Sequence, residues 1–405
     1  MRRKESITAV LFLCALAAGF VLLASSFFGG EGNLEAALRG LVKNPGSLKT
    51  FLVSAEGAAN QDLDRSHLFI QLYGGAQRAT GRRVVVDMAD PDYTVARMDD
   101  GSLAFQNLTA APVDQTAHAK ALADLRDFAA EKLGAPLLYV QAPQKIEDSQ
   151  LPAGMENYGN QDADQLLEEL SGLGVDTLDL RPALREAAKA PKSPALFFRT
   201  DHHWTPEGAF LGYRTLSAAL EEKYGYAADP RFTDAASYEV TAYDDWFLGS
   251  QGKRVGTLYG GVDGINLWKP KFATDFTYSS PAFFDDRTGP FEESLLFPER
   301  LEPKDYFGGN PYTLYSGGDY PLARMYNNLN PDGPRVLLIR DSFACALSPF
   351  LALQCGELMT MDMRYFTDDL AGYLDWLRPD LVLVMYTASS TRLDELYPFT
   401  DILKQ

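Results

Sequence analysis

An α/β fold organised on a parallel, helix-covered sheet is the class this sequence predicts, and three observations carry the prediction. Short apolar runs at Pro136–Val140, Val336–Ile339 and Asp380–Tyr386 read as strands buried on both faces. Around them, apolar residues recur at helical spacing, as in Ala121, Leu122, Leu125, Phe128, Ala129 and Leu133. The resulting β-α-β-α rhythm is that of parallel strands joined by helices.

The chain has 405 residues, enough for two domains or one large α/β domain with an insertion. Its apolar and aromatic content supports a sizeable core and excludes wholesale disorder. A net charge of −18 excludes a nucleic-acid backbone as partner.

Taken in order, Arg2, Arg3 and Lys4 precede an uncharged apolar stretch, Ile7–Phe28. At about 1.5 Å per residue it spans roughly 30 Å, one bilayer crossing. The charge placed before it predicts the N-terminus inside and the remainder outside. An uncleaved anchor is expected; a cleaved signal is the alternative, given Ala24-Ser25-Ser26 near the end of the run. Gly29–Asn33 reads as a linker, Leu34–Leu41 as a short helix, and Leu48–Gly81 as a mostly helical entry. Arg83–Met88 is β-rich, and Asp90–Leu108 reads as hairpins with a turn at Asp100-Gly101.

Regular alternation starts at Ala117. The strand Pro136–Val140 ends in Gln141-Ala142-Pro143-Gln144-Lys145, followed by a helix at Gln161–Leu173, a strand at Val175–Leu180 and a helix at Arg181–Ala190. Thr205 is a good N-cap, Pro206 suits the first helical position and Glu207 the first turn, so a helix is expected from Pro206 to about Lys223. Tyr224–Pro334 is rich in Tyr, Phe, Gly, Pro and Asp and reads as an irregular insertion with short strands at Val255–Tyr259, Gly264–Leu267 and Phe272–Thr277. The rhythm then returns with a helix at Ala344–Leu353, a strand at Glu357–Met363, a helix at Asp368–Leu377 and the strand Asp380–Tyr386. Cys345 and Cys355 are expected as free, buried thiols, too far apart along a helix to pair.

Two stretches carry the chemistry. Arg340-Asp341-Ser342-Phe343 joins an apolar strand to a helix, a sharp turn at which a serine hydroxyl is exposed beside unpaired helical N–H groups. Those donors and the helix dipole suit an acyl-transfer oxyanion. Serine needs a base and a group to orient that base, and Asp201-His202-His203-Trp204 supplies both in Asp-x-His. The alternatives at Ser342 are a helix cap made by the serine itself or by Asp341. His202 points away from His203 in an extended segment and is expected to be structural or substrate-lining. A metal site is the rival reading of Asp201-His202-His203, but zinc catalysis takes three protein ligands, and among four histidines the other two, His67 and His118, lie in helical stretches nearer the N-terminus. No metal or cofactor is expected. Lys145, Arg364 and Tyr386 stand at strand ends where they would orient a sugar or hold an oxyanion, or else form surface pairs.

Together, Thr200-Asp201-His202-His203-Trp204-Thr205 and Arg340-Asp341-Ser342-Phe343 resemble the DHHW family, which is related to the alginate O-acetyltransferases of the SGNH-hydrolase-like superfamily. Phe247-Leu248-Gly249-Ser250, Asp362-Met363-Arg364-Tyr365 and the Gln141–Lys145 stretch add to the likeness. The resemblance implies an α/β/α sandwich and a triad of Ser342 as nucleophile, His203 as base and Asp201 as orienter. It also implies acetyl transfer to, or removal from, cell-surface polysaccharide, with a membrane-bound acyl-transfer partner. Arg340 departs from the superfamily's Gly-Asp-Ser, and its separate Gly and Asn oxyanion motifs find no clear match here. The expected organisation is a basic cytoplasmic tail (1–6), an anchor or signal (7–28), a linker with helical and hairpin segments (29–116), the first catalytic part (117–223), the insertion (224–334) and the second catalytic part (335–405). The opposing reading is a surface scaffold or carbohydrate-binding protein with a vestigial site. The distance between Ser342 Oγ and the His203 ring separates the two readings.

Overall fold

Residues 67–87, 93–105, 111–146, 151–191, 193–400 and 402, with single positions 13, 17, 20 and 21, are described by a computed structural model. The expected membrane segment Ile7–Phe28 and the helix Leu34–Leu41 therefore lie outside the described residues, those single positions aside. No described helix is long and apolar enough to cross a membrane. The chain divides into two units, Met1–Thr80 and Gly81–Gln405. In the first, helix α1 (Leu68–Ala79) is described, and it turns Phe69, Leu72 and Tyr73 outward.

The second unit begins with an antiparallel sheet of β1 (Val84–Val85), β2 (Val95–Arg97) and β3 (Leu103–Phe105). The expected turn at Asp100-Gly101 is present: Gly101 has φ 85°, and Asp100 Oδ1 accepts from the N–H and hydroxyl of Ser102. Helix α2 (Thr116–Phe128) follows and runs on through a π-helical turn to Leu133. Next come β4 (Leu137–Ala142), α3 (Gly159–Gly172), β5 (Asp176–Asp179), α4 (Arg181–Ala188) and α5 (Pro206–Tyr224). Thr205 caps α5 as expected, accepting from Gly208 N at 3.2 Å.

The insertion holds the hairpin of β6 (Tyr238–Phe247) and β7 (Asp263–Pro270), with helix α6 (Ser250–Val255) between them. The strand expected at Val255–Tyr259 is not formed; two helical turns, Ser250–Val255 and Thr257–Gly260, occupy that stretch. Gly256, at φ 78°, divides them, a conformation that a side chain would strain. Further on lie β8 (Phe276–Ser280), β9 (Phe284–Gly289) and β10 (Leu322–Asn327). The chain closes with β11 (Arg335–Arg340), α7 (Ala344–Ala352), β12 (Glu357–Met361), α8 (Leu370–Leu377) and β13 (Leu381–Thr387).

The central sheet has eight strands in the order β5-β4-β13-β11-β12-β10-β8-β9. The first five are parallel. The last three run antiparallel to their neighbours, so the expected parallel sheet is extended along one edge by antiparallel strands. Part of the insertion is thus an extension of the sheet. Successive residues of the parallel strands face opposite cores. Leu138, Val140, Leu338, Leu383 and Met385 pack with Phe210, Tyr213 and Leu216 of α5 and Phe350 of α7. Leu137, Tyr139, Leu337, Val382 and Val384 pack with α2, α3 and α8. This is the expected α/β/α sandwich. Cys345 and Cys355 are free and buried.

Candidate active site

Strands β4, β13, β11 and β12 are neighbours, and their carboxyl ends bring Lys145, Thr387, Ser342 and Arg364 to one edge of the sheet. At the end of β11 the chain turns directly into α7. Asp341 organises that turn: Oδ1 accepts from Phe343 N at 3.0 Å, and Oδ2 from Thr387 N and Ser390 Oγ, each at 2.7 Å. Burial raises the Asp341 pKa, and those hydrogen bonds oppose the rise. Asp341 therefore closes the turn ahead of α7, whose N-cap Phe343 makes no side-chain capping bond, and the serine hydroxyl is left available. Within 341–350, Ser342 alone is not buried. Its N–H has no hydrogen-bond partner among the described residues.

The Asp-His segment is a tight loop closed by a bridge between Phe197 and Trp204. Phe198 N donates to His203 O at 3.2 Å, and Thr205 N to Leu196 O at 3.0 Å. Trp204 is fully buried, and its Nε1 donates to Phe343 O at 2.8 Å, which ties the loop to the serine turn. The two motifs meet: His203 Nε2 lies 2.7 Å from Ser342 Oγ, and His203 Nδ1 lies 2.6 Å from Asp201 Oδ1. Asp201 Oδ1 also accepts from His203 N at 3.0 Å, and Oδ2 from Ser250 N at 2.7 Å. Tyr312 stacks on the imidazole at 3.9 Å, and its hydroxyl donates to the carbonyls of Ser342 and Phe343 at 3.1 and 3.0 Å.

Asp201 is buried, and burial resists its charge. Electrostatic attraction to His202 and His203, the His203 hydrogen bond and the Ser250 N–H outweigh that resistance and hold the carboxyl well below the usual range. Asp201 is thus ionised and acceptor-only, which selects the His203 tautomer with its proton on Nδ1 and a free lone pair on Nε2.

Comparison with known proteins bears on this geometry. A family model described as the SGNH hydrolase-like domain of the acetyltransferase AlgX matches residues 105–242. The chain has an SGNH-hydrolase-like fold. A DHHW family protein from Eubacterium siraeum superposes at TM-score 0.58 with 17% identity, over 75% of this chain and 94% of that one. PatB1 from Bacillus cereus superposes at 0.61 with 22% identity, over 75% of this chain and 98% of its own. The same protein with a sulfonyl adduct gives 0.61 at 20% identity, over 77% and 98%. No curated protein sequence matches the chain at a significant level. The Ser342 and Asp201–His203 motifs thus stand on an SGNH-like sheet. Arg340 ends β11 and sends its side chain into the interior, so the turn itself has no need of glycine there.

The other expected site residues fall differently on this SGNH-like frame. Tyr386 is fully buried on the α2 side of the sheet and donates to Leu396 O at 2.7 Å, so it faces away from the serine. The alternation along β13 puts it there. Lys145 is spent on protein acceptors, Asp201 O at 2.5 Å among them, and is not presented to a sugar or an oxyanion. Arg364 grips Asp362 through two bonds, at 2.9 and 2.6 Å, and lies 3.2 Å from Asp319, so it belongs to an ion cluster behind the turn while keeping part of its side chain open. His202 does not point away from His203 as expected, because the segment is a tight loop and not an extended strand: its ring lies tilted against the His203 ring, centroids 3.8 Å apart, and its Nδ1 pairs with Ser250 Oγ at 3.0 Å, at the rim of the site. Asp201, His202 and His203 place ligand-type atoms within 4.8 Å of one another. A cation held by Asp201 Oδ1 and the two Nδ1 atoms would have to displace the Asp201–His203 and His202–Ser250 hydrogen bonds.

Partial burial lowers the His202 pKa below the usual value, with His203 adding to the shift and Asp201 opposing it. The unfolded chain therefore binds a proton at this position that the folded one refuses, so this group's contribution to stability is lost as pH falls below about 6.5. His202→Asn is expected to flatten the acid-side loss of stability, read as denaturant midpoints between pH 4 and 7. An unchanged slope would contradict the assignment.

Sequence reasoning gave no role to Gly249, Ser250, Asp263 or Tyr312. Gly249 belongs to a stretch that carries the DHHW likeness, and the signal was that glycine. A Cβ there would fall 2.2 Å from Asp201 Cβ and 2.5 Å from its Cα, so only glycine admits the approach that delivers Ser250 N to Asp201. Asp263 accepts from Arg199 N, Thr200 N and Thr200 Oγ1 and fixes the loop from below. Tyr312 lies in the insertion, where nothing local marks it.

Proposed function

We propose that this protein is an extracytoplasmic, serine-dependent O-acetyltransferase or acetylesterase that acts on cell-surface polysaccharide through an acetyl-serine intermediate. The observation that carries this reading is the 2.7 Å contact between His203 Nε2 and Ser342 Oγ, backed by an ionised carboxylate on the far ring nitrogen. That same distance weighs against a vestigial site. His203 Nε2 takes the hydroxyl proton as Ser342 Oγ forms a bond to the acetyl carbonyl carbon. The imidazolium then gives that proton to the departing alcohol, the ester bond breaks, and acetyl-serine remains. In the second half a sugar hydroxyl, or water, gives its proton to His203 and attacks the acetyl carbon. Ser342 leaves and recovers its proton.

Charge on the carbonyl oxygen meets the unpartnered N–H of Ser342 at the start of α7. The acetyltransferase in the matching domain's description supports acetyl as the group carried. The apolar segment Ile7–Phe28, with its preceding arginines and lysine, supports an anchor that holds the catalytic unit outside the cytoplasm. A membrane-bound acyl-transfer partner then supplies the donor.

Brief exposure to an aryl acetate followed by peptide mass spectrometry is expected to show one acetyl group on the peptide holding Ser342, absent after Ser342→Ala. Acetylation elsewhere, with turnover intact in Ser342→Ala, would end the proposal.

A further inference from the structure

The loop after β4 reaches the Asp-His segment through one side chain. Lys145 Nζ lies 2.5 Å from Asp201 O, 3.0 Å from Phe198 O, 3.3 Å from Arg199 O and 2.8 Å from Gln251 Oε1. Its three protons therefore serve acceptors on both segments that build the base. Phe198–Asp201 carries the orienting carboxylate. Gln251 is next to Ser250, whose N–H holds that carboxylate's other oxygen. We infer that Lys145 is a positioning residue, a cationic clamp that aims Asp201 and His203 at Ser342 and slackens when the ammonium loses its proton. This inference rests on the acyl-transfer reading.

A clamp made by a charge differs from one made by packing. Backbone carbonyls are the negative ends of dipoles, and an ammonium binds them about twice as strongly as a neutral donor would. Loss of the proton also leaves two N–H donors for the same acceptors. Burial pushes the lysine down to about 8. Asp201, Asp263 and Asp100 resist that fall, while Arg199 assists it. His202 also faces the ammonium and is depressed in part by it. The folded pKa lies below the unfolded 10.5, so above pH 8 the unfolded chain holds more protons and this group adds stability as pH rises. Activity and stability should therefore part company in that window. A lysine with a merely structural role would show the same rise in stability and leave kcat level.

The test uses the full chain. In wild-type protein, kcat for aryl acetate hydrolysis is expected to fall about tenfold from pH 7.5 to 9.5, without loss of thermal stability through this group. Lys145→Met should lower kcat about 10²-fold, in line with a small misplacement of catalytic groups, move KM less than about threefold and lack that alkaline limb. Lys145→Arg, whose charge does not titrate, should recover part of kcat and hold it to pH 9.5. The short Asp201–His203 bond gives a low-field proton resonance that needs no turnover; it should weaken in wild type as pH passes 8, and in Lys145→Met at every pH. Wild-type kcat and resonance that both stay level to pH 9.5, or a Lys145→Met protein with unchanged kcat and profile, would overturn the inference. Absence of Ser342-dependent turnover would instead sink the acyl-transfer reading, and the resonance would still judge the clamp.

Discussion

Asp201→Asn is expected to lower kcat about 10⁴-fold while leaving the protein folded, the size of effect known when a triad carboxylate becomes an amide. Every contact of Asp201 with the site uses it as an acceptor: His203 N and Nδ1 on one oxygen, Ser250 N on the other. An asparagine has one acceptor oxygen and one donor nitrogen. If the oxygen stays with Ser250 N, the amide N–H₂ faces His203 Nδ1 and favours the tautomer with its proton on Nε2. That nitrogen then donates to Ser342 Oγ and has no lone pair to take its proton. If the amide turns the other way, its N–H₂ faces Ser250 N–H, and two donors meet in a buried place. Ser342 is deprived of a base or the loop is strained. Raising the pH should not restore the rate, because the fault is in proton placement and not in protonation state. Comparable thermal unfolding with a rate lost by four orders of magnitude is the expected pair of measurements. A loss below tenfold would mean that Asp201 does not orient the base.

Much of this arrangement is legible in the sequence, for reasons that differ by element. The strands at Val336–Ile339 and Asp380–Tyr386 are recognisable because a central parallel strand is apolar on both faces. The start of α5 is recognisable because Thr205, Pro206 and Glu207 each meet a local requirement of a helix end. Strands β8 and β10 do alternate buried and open residues, but alternation fixes a face and not a partner, so their place in the central sheet was not legible. The run Val255–Tyr259 has strand-like residues and is helical nonetheless. Its neighbours are bound to Thr200, through Gly249 N to the hydroxyl at 2.9 Å and Gly252 N to the carbonyl at 2.8 Å. Tertiary hydrogen bonds overrode the local preference there. The same limit applies to Lys145. A lysine at a strand end signals a surface in sequence, and its inward engagement became visible only when three backbone carbonyls were found around it.

Arg340→Met is expected to cost about 3–5 kcal/mol of unfolding free energy, the range for removing one member of a buried ion pair. Arg340 is 1% exposed. It pairs with Asp319, donates to Gly318 O at 2.9 Å, touches Cys345 Sγ at 3.3 Å and lies 3.6 Å from Asp362. Burial disfavours its charge, yet the acidic neighbours raise its pKa above the usual value. Asp319 is likewise held below the carboxylate range against burial, by Arg340 first and Arg364 second. The cluster therefore balances two arginines against two aspartates immediately behind the serine turn. Methionine fills comparable space but leaves Asp319 and Asp362 to share Arg364 alone. Asp319→Asn should then restore much of the loss in the double variant, because it removes the surplus negative charge; a packing defect would not be restored in this way. Denaturant unfolding of the two single variants and the double variant measures that coupling. A single-variant cost under about 1 kcal/mol, with no recovery in the double, would mean that Arg340 is passive in the cluster and that the turn is held by Asp341 alone.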